Sequence, residues 1–213
     1  MKFKYYIHIL SLIVAILYLI GYKNKSKPYK ILSLFLLIEV FLNFISDKLH
    51  PWFKIYNHFF INIIFLIQFG FLSMFYSYSF TNKKWRNVVE SILILVVSYL
   101  LLKYTLYPET FFVFHYQDIY ITIFPIIVYS IMYLYNEYNK PQELYWANIA
   151  IMSLKIILFF CYLTWPLLSI SINYSYMIEF NKVFSYLAGF AYDIVYVAYS
   201  IILLYQLKKL KFK

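Results

Sequence analysis

The chain has 213 residues, of which 64% are hydrophobic, and a mean hydropathy of +0.70. Because a soluble domain has roughly 45–50% apolar residues, this composition excludes a sizeable soluble catalytic or DNA-binding domain. The formal net charge of +10 could suggest nucleic acid as a partner. Most of the lysines lie between apolar runs, however, where basic side chains set membrane topology and contact anionic lipid headgroups. The partner predicted from composition is therefore the lipid bilayer, with no nucleic acid.

Seven apolar runs predict an all-α, polytopic membrane protein in which residues 1–213 form one domain of seven transmembrane helices. Each run is near the 17–25 residues that a helix needs to cross a bilayer. The connections are short, which predicts that successive helices are antiparallel neighbours. No small-residue cleavage site follows the first run, so we interpret it as a membrane helix and not as a signal peptide. The predicted spans are residues 5–22, 30–49, 56–78, 88–107, 117–135, 147–167 and 184–207.

The distribution of basic residues predicts the orientation of these spans. Lysine and arginine concentrate after the first span, in the loop at residues 82–87 and after the last span. The positive-inside rule therefore predicts an N-terminus outside and a C-terminus in the cytoplasm. The four tryptophans then fall at the ends of spans, as an aromatic belt requires.

Three ionisable residues, Glu39, Lys155 and Asp193, lie inside apolar runs. Placing a charge at such a depth costs roughly 2.5–3.5 kcal/mol, so these side chains are expected to face the interior of the bundle and to pair. At 1.5 Å per residue, Glu39 and Lys155 lie about 14 Å from the cytoplasmic edge and Asp193 lies about 21 Å from it. The sequence therefore predicts that Lys155 pairs with Glu39, Asp193 or both.

Other polar residues recur at helical spacing on the same predicted faces. Two carboxylates with one ammonium leave one acid in need of a proton or a bound cation. Three interpretations remain open: structural contacts between helices, a ligand or proton site, and a hydrolytic centre. The predicted ligand-binding or buried polar network comprises Glu39, Asn43, Gln68, Lys155, Tyr162, Asp193 and Tyr196.

A second group of polar residues is predicted near the outer side. The pairs Asp47/His50 and His115/Asp118 have the i, i+3 spacing that places both side chains on one helical face. Histidine and carboxylate together suit zinc or another divalent ion, but the ends of membrane helices collect such residues routinely. We therefore predict no metal and no other cofactor. The weak metal candidates are His50, His58, His115 and Asp118.

Known seven-helix families narrow the alternatives. Microbial rhodopsins carry the retinal lysine on the seventh helix, whereas Lys155 lies on the sixth predicted span. Ceramidase-like membrane hydrolases bind zinc through an HxxxH pair that this sequence lacks. Lysoplasmalogenase-like enzymes rely on intramembrane acids, which Glu39 and Asp193 could supply. Their helices are glycine-rich, whereas this chain has three glycines. A hydrolase of this type is kept as the enzymatic alternative.

Four runs, LLIEVFLNF, YNHFFINIIFLIQF, ELYWANIAIMSL and FSYLAGFAYDIVYVAYSI, resemble small seven-helix inner-membrane proteins of Bacteroidota. These proteins look like stand-alone sensor modules and have no assigned biochemical activity. The resemblance covers most of the chain. It implies a multi-pass protein of the bacterial cytoplasmic membrane with a receptor-like or accessory role. The characteristic positions would be Glu39, Asn57, Gln68, Trp146 and Asn148.

The function predicted from the sequence is a sensor-like or small-ligand-binding role through the buried polar layer. We expect no enzymatic activity and no output domain within the chain. A histidine kinase or another membrane protein is the expected protein partner. The alternatives are an intramembrane lipid hydrolase and a purely structural membrane subunit.

Overall fold

The computed structural model describes residues 2–53, 58–113, 115–137, 144–170, 190–191 and 193–208, and these contain no strand. Helices form because the apolar runs can satisfy their backbone hydrogen bonds only internally in lipid. The helices are α1 (Lys2–Leu19), α2 (Lys27–Phe53), α3 (His58–Ser79), α4 (Lys83–Leu106), the short α5 (Pro108–Phe111), α6 (Tyr116–Glu137), α7 (Tyr145–Ile170) and α8 (193–208).

In the part of the chain that the structure describes, five helices are long and apolar enough to cross a membrane. They agree with the second to sixth predicted spans, and α1 adds a shorter apolar helix over Tyr5–Leu19. The described chain therefore has the architecture of a multi-pass helical membrane protein. The five candidate spans are Lys27–Leu49, Phe59–Ser79, Lys83–Leu106, Tyr116–Asn136 and Tyr145–Leu163.

Two helix ends differ from the sequence-based boundaries. The first helix, predicted to reach residue 22, ends at Leu19 because Gly21 adopts a left-handed backbone with φ of 70°. This conformation is a common helix stop. The second helix, predicted to end before Pro51, continues to Phe53. Proline has a helical φ and removes only the hydrogen bond to the carbonyl of Asp47, so the last turn can include it.

Helix α3 lies at the centre of the packing. It contacts α2, α4 and α6, while α1 packs on α2 and α6 packs on α7. The seams are filled by fully buried aromatic side chains, among them Phe69, Phe75 and Tyr76 of α3. A Cβ atom at Gly70 would meet nothing within 4 Å, so this glycine does not serve as a site of close helix approach.

Hydrogen bonds attach α8 to three other helices. Tyr18 of α1 donates to the carbonyl of Leu203 at 3.2 Å. Gln206 donates to the hydroxyl of Tyr29 in α2, and its Oε1 accepts a 3.0 Å bond from the backbone N–H of Trp146 in α7. The last described helix is thereby held beside α1, α2 and α7.

Candidate functional site: a buried charged layer beside a polar cavity

Three helices place Glu39, Gln68 and Lys155 in one buried layer. Gln68 donates from Nε2 to Oε1 of Glu39 at 3.0 Å, and Lys155 donates from Nζ to Oε1 of Gln68 at 2.6 Å. The three residues are 3%, 7% and 3% exposed, respectively. The amide of Gln68 in α3 therefore bridges a carboxylate of α2 and an ammonium of α7. We call these three residues the charged layer.

The chemistry of the two charged groups sets the orientation of the bridging amide. An ammonium group can only donate hydrogen bonds and an ionised carboxylate can only accept them. The amide of Gln68 must therefore turn its oxygen to Lys155 and its nitrogen to Glu39, as observed. In this orientation the negative end of the amide dipole points to the ammonium group and the positive end points to the carboxylate. A reversed amide would place like partial charges together on both sides, so the two charged groups specify this orientation of the Gln68 amide.

Tyr196 of α8 connects the charged layer to its surroundings. Its hydroxyl lies close to the side chain of Glu39, and its oxygen accepts a 3.1 Å bond from Nδ2 of Asn43. Asn43 lies one turn after Glu39 on α2, as the helical spacing predicts. A line of neighbouring polar side chains thus runs from Lys155 through Gln68 and Glu39 to Tyr196 and Asn43.

A cavity of about 90 Å³ lies at the far end of this path, between α1, α2 and α8. Asn43 and Tyr196 belong to its wall, as do Asp47 and Asp193. His8 of α1 also lines it and makes a 2.9 Å bond between Nε2 and Oδ2 of Asp47. We call this space the outer cavity, because the positive-inside rule predicts that it lies in the outer half of the bundle.

The two acids that the sequence singled out have different surroundings. Glu39 is the charge that acts on Lys155, whereas Asp193 is half-buried and lines the outer cavity. Tyr162 is also half-buried; its ring packs edge-on against Phe65 with centroids 5.6 Å apart. Its backbone carbonyl accepts a 2.7 Å bond from Tyr120. The seven-residue spacing from Lys155 therefore leads to a residue that contacts both Phe65 of α3 and Tyr120 of α6.

A second buried polar layer lies about two turns from the first and was not predicted as a group. Tyr76 of α3 donates to Oδ1 of Asn148 at 2.7 Å, and Oγ of Ser130 lies 2.6 Å from the same hydroxyl. Nδ2 of Asn148 donates to the backbone carbonyl of Ser130 at 3.3 Å. Tyr76 resembles an ordinary core aromatic in sequence. Its spacing of eight residues from Gln68 was the available signal.

The structure separates the acids of the predicted outer group. Asp47 contacts His8, as described above. Asp118 accepts bonds of 2.7 and 2.8 Å from Nζ of Lys103 and a 3.1 Å bond from Tyr104. Nε2 of His115 is buried without a hydrogen-bond partner. The side chains of His50 and His58 lie outside the described part of the chain.

Metal-ligand geometry is absent from the residues that the structure describes: they contain no group of three or more His, Cys, Asp or Glu side chains able to hold an ion. Comparisons with known families, curated proteins and solved structures yield no match.

Proposed function

We propose that this multi-pass membrane protein is a sensor-like protein that binds a small ligand in the outer cavity. The observation that carries the proposal is the polar path from the cavity wall through Tyr196 to Glu39, Gln68 and Lys155. A ligand that contacts Asn43 or Tyr196 would alter the hydrogen bonds of Glu39. Since Glu39, Gln68 and Lys155 join α2, α3 and α7, the altered bonding would shift the balance between helix arrangements.

The proposal includes seven spans, with the N-terminus outside and the C-terminus in the cytoplasm of a bacterial inner membrane. In this orientation the outer cavity receives ligands from outside the cytoplasm. Movements of the helices are then transmitted to a membrane-protein partner such as a histidine kinase. The test is labelling of single cysteines in intact cells, in a Cys161→Ser background. The variants Lys23→Cys and Lys83→Cys should react with a membrane-impermeant maleimide only after the cells are lysed. Labelling of either position in intact cells contradicts the orientation.

Ligand binding is tested by thermal unfolding of the purified full chain in detergent micelles. The probes are a small ammonium compound, a small carboxylate and a neutral sugar, each over a concentration series. The Ser11→Leu variant fills the cavity, because the Ser11 side chain belongs to its wall. The matched control is Ser98→Leu, on an exposed position of α4.

We expect at least one probe class to raise the unfolding temperature of the wild type and of Ser98→Leu in a saturable way. The same probe should have no effect on Ser11→Leu, because that variant lacks the space for it. If no class distinguishes Ser11→Leu from Ser98→Leu, the proposed ligand-binding role is wrong.

A purely structural subunit is a second candidate, and the bridging geometry of Gln68 favours it. A side chain that hydrogen-bonds Glu39 and Lys155 at once also joins α2, α3 and α7. The structural candidate predicts that substitutions in the charged layer change stability without changing any ligand response. The receptor-like function predicts that Tyr196→Phe, which removes the link to Glu39, reduces the ligand-induced rise in unfolding temperature.

A further inference from the structure

We infer that the chain has a defined site for one anionic phospholipid, at the end of the bundle where α2 and α4 begin and α3 ends. The lipid phosphate binds between Lys27 of α2 and Arg86 of α4, beside the ring of Tyr78 in α3. An acyl chain of the same lipid covers exposed apolar side chains of α2 and α3. The site is separate from the outer cavity, so the inference does not rest on the proposed ligand-binding function.

Two cationic side chains from different helices meet at the ring of Tyr78. Nζ of Lys27 lies 3.7 Å from the ring centroid, and Cζ of Arg86 lies 5.0 Å from the same centroid. The separation of the two cations cannot exceed the sum of these distances, which is comparable with the Debye length of about 8 Å at physiological ionic strength. Salt therefore screens their repulsion only in part, and an anion bound between them relieves it.

The contacts of the two cations leave donors available for a phosphate. Arg86 donates from Nε to Oε1 of Glu90 at 3.1 Å, and the same oxygen accepts a 2.6 Å bond from Ser77. The guanidinium group has four further N–H donors on its terminal nitrogens, in a geometry that matches phosphate oxygens. Among the described residues, no carboxylate forms an ion pair with Lys27. Lys27, Arg86 and Glu90 together carry one positive charge, which a lipid phosphodiester neutralises.

Depth in the membrane identifies the anion as a lipid headgroup. Lys27 is the first residue of one candidate span, Tyr78 lies one residue before the end of another, and Arg86 lies in the first turn of a third. A hydrocarbon core of about 30 Å is flanked by headgroup layers that bring the bilayer to about 40–45 Å. The ends of three spans therefore lie at the level of the lipid phosphates. Basic pockets between helices at this level bind anionic headgroups.

Exposed apolar side chains lie below the two cations and offer a surface for an acyl chain. Leu34 lies seven residues after Lys27, and Met74 lies four residues before Tyr78, so each shares a helical face with the residue at the headgroup level. They are 38% and 41% exposed. At 1.5 Å per residue they lie about 6–11 Å below that level, within the half-thickness of about 15 Å of the hydrocarbon core. A soluble phosphate would leave this surface uncovered.

The test is native mass spectrometry of the full chain in detergent micelles that contain equal amounts of dioleoylphosphatidylglycerol and dioleoylphosphatidylcholine. The two lipids have the same acyl chains, and only the first has a net negative charge. We expect one molecule of phosphatidylglycerol to be retained per chain, with at least a tenfold preference over phosphatidylcholine. Lys27→Gln should reduce this preference at least fivefold, whereas Lys27→Arg keeps the charge and should preserve it.

The matched control is Lys23→Gln, which removes the same charge from an exposed position four residues before Lys27. It should change the preference less than twofold. Equal losses in Lys23→Gln and Lys27→Gln would show a general attraction between anionic lipid and basic side chains, which overturns a defined site. Equal retention of the two lipids, or retention of neither, would also overturn it.

Thermal unfolding of the same variants separates lost binding from lost folding and a lipid from a soluble anion. Without phospholipid, Lys27→Gln and Lys23→Gln should unfold at the same temperature, because both positions are exposed. Phosphatidylglycerol should raise the unfolding temperature of the wild type and of Lys23→Gln in a saturable way, and that of Lys27→Gln far less. Millimolar sn-glycerol 3-phosphate should have no effect. An equal rise with sn-glycerol 3-phosphate would show a site for a soluble phosphate and would reject the lipid.

Discussion

Lys155 of α7 donates a hydrogen bond of 2.6 Å to Gln68 of α3, 87 residues earlier in the chain. Gln68 in turn donates to Glu39 of α2, so an uncharged amide carries the contact between two charged groups. This relay gives a buried ammonium group and a buried carboxylate one hydrogen bond each from a single side chain. We predict that disrupting this relay lowers the free energy of unfolding strongly, because all three side chains lie away from water.

Replacing Lys155 by methionine should destabilise the protein strongly. The substitution leaves Glu39 without the opposite charge of Lys155, and removing one partner of a buried ion pair costs about 3–5 kcal/mol. Unfolding in mixed detergent and SDS micelles measures the loss. The double variant Glu39→Gln/Lys155→Met should recover most of it, since neither charge remains.

The control for this prediction is Lys23→Met, which removes a lysine from an exposed position between α1 and α2. It should change the free energy of unfolding by less than about 0.5 kcal/mol, as surface substitutions usually do. Equal stability of Lys155→Met and Lys23→Met would show that the charged layer does not stabilise the fold.

Two buried tyrosines should respond differently to the loss of their hydroxyl groups. Tyr76→Phe leaves Oδ1 of Asn148 without its 2.7 Å donor, which should cost about 1–3 kcal/mol. The hydroxyl of Tyr129 is equally buried but makes no hydrogen bond within ordinary geometry, although Ser73 lies near it. Tyr129→Phe should therefore be neutral to within about 0.5 kcal/mol. Thermal unfolding of both variants provides the comparison, and equal losses would contradict it.

Lys103 should matter more than another lysine of the same helix. Asp118 is 4% exposed and accepts two bonds from Lys103. Lys103→Met should lower the free energy of unfolding by about 1–3 kcal/mol, less than for a wholly buried pair because Lys103 is partly exposed. Lys83→Met, at the exposed start of α4, is the matched control and should be near neutral. A similar loss in both variants would argue against the pair as the cause.

The two described glycines should respond in opposite directions to alanine. Gly70→Ala adds a Cβ atom that meets nothing within 4 Å, so it should stabilise α3 by about 0.5–1 kcal/mol. Gly21→Ala forces a side chain onto a backbone with φ of +70° and should cost about 1–2 kcal/mol. The unfolding temperatures of the two variants are the measurement. Destabilisation by Gly70→Ala would show a contact at that position.

Local patterns predicted the five long spans to within a few residues, because hydropathy and helix length are properties of neighbouring residues. The ends of α1 and α2 were less predictable. The apolar run continues past Leu19, and only the left-handed backbone of Gly21 ends the helix. At Pro51 the expectation that a helix ends before a proline was wrong, because α2 continues to Phe53. A proline in the last turn removes one hydrogen bond, and the rest of the turn still forms.

The sequence by itself determined that this is a helical membrane protein and that Lys155 must find a polar partner. Both conclusions follow from the high cost of placing charges and unpaired backbone groups in lipid. Only the tertiary structure decided that Gln68 stands between Lys155 and Glu39, and that Asp193 lies beside His8 and Asp47 in a separate cavity. These contacts depend on how each helix is rotated against its neighbours. That rotation is set by packing between residues far apart in the chain, which periodicity within one helix cannot report.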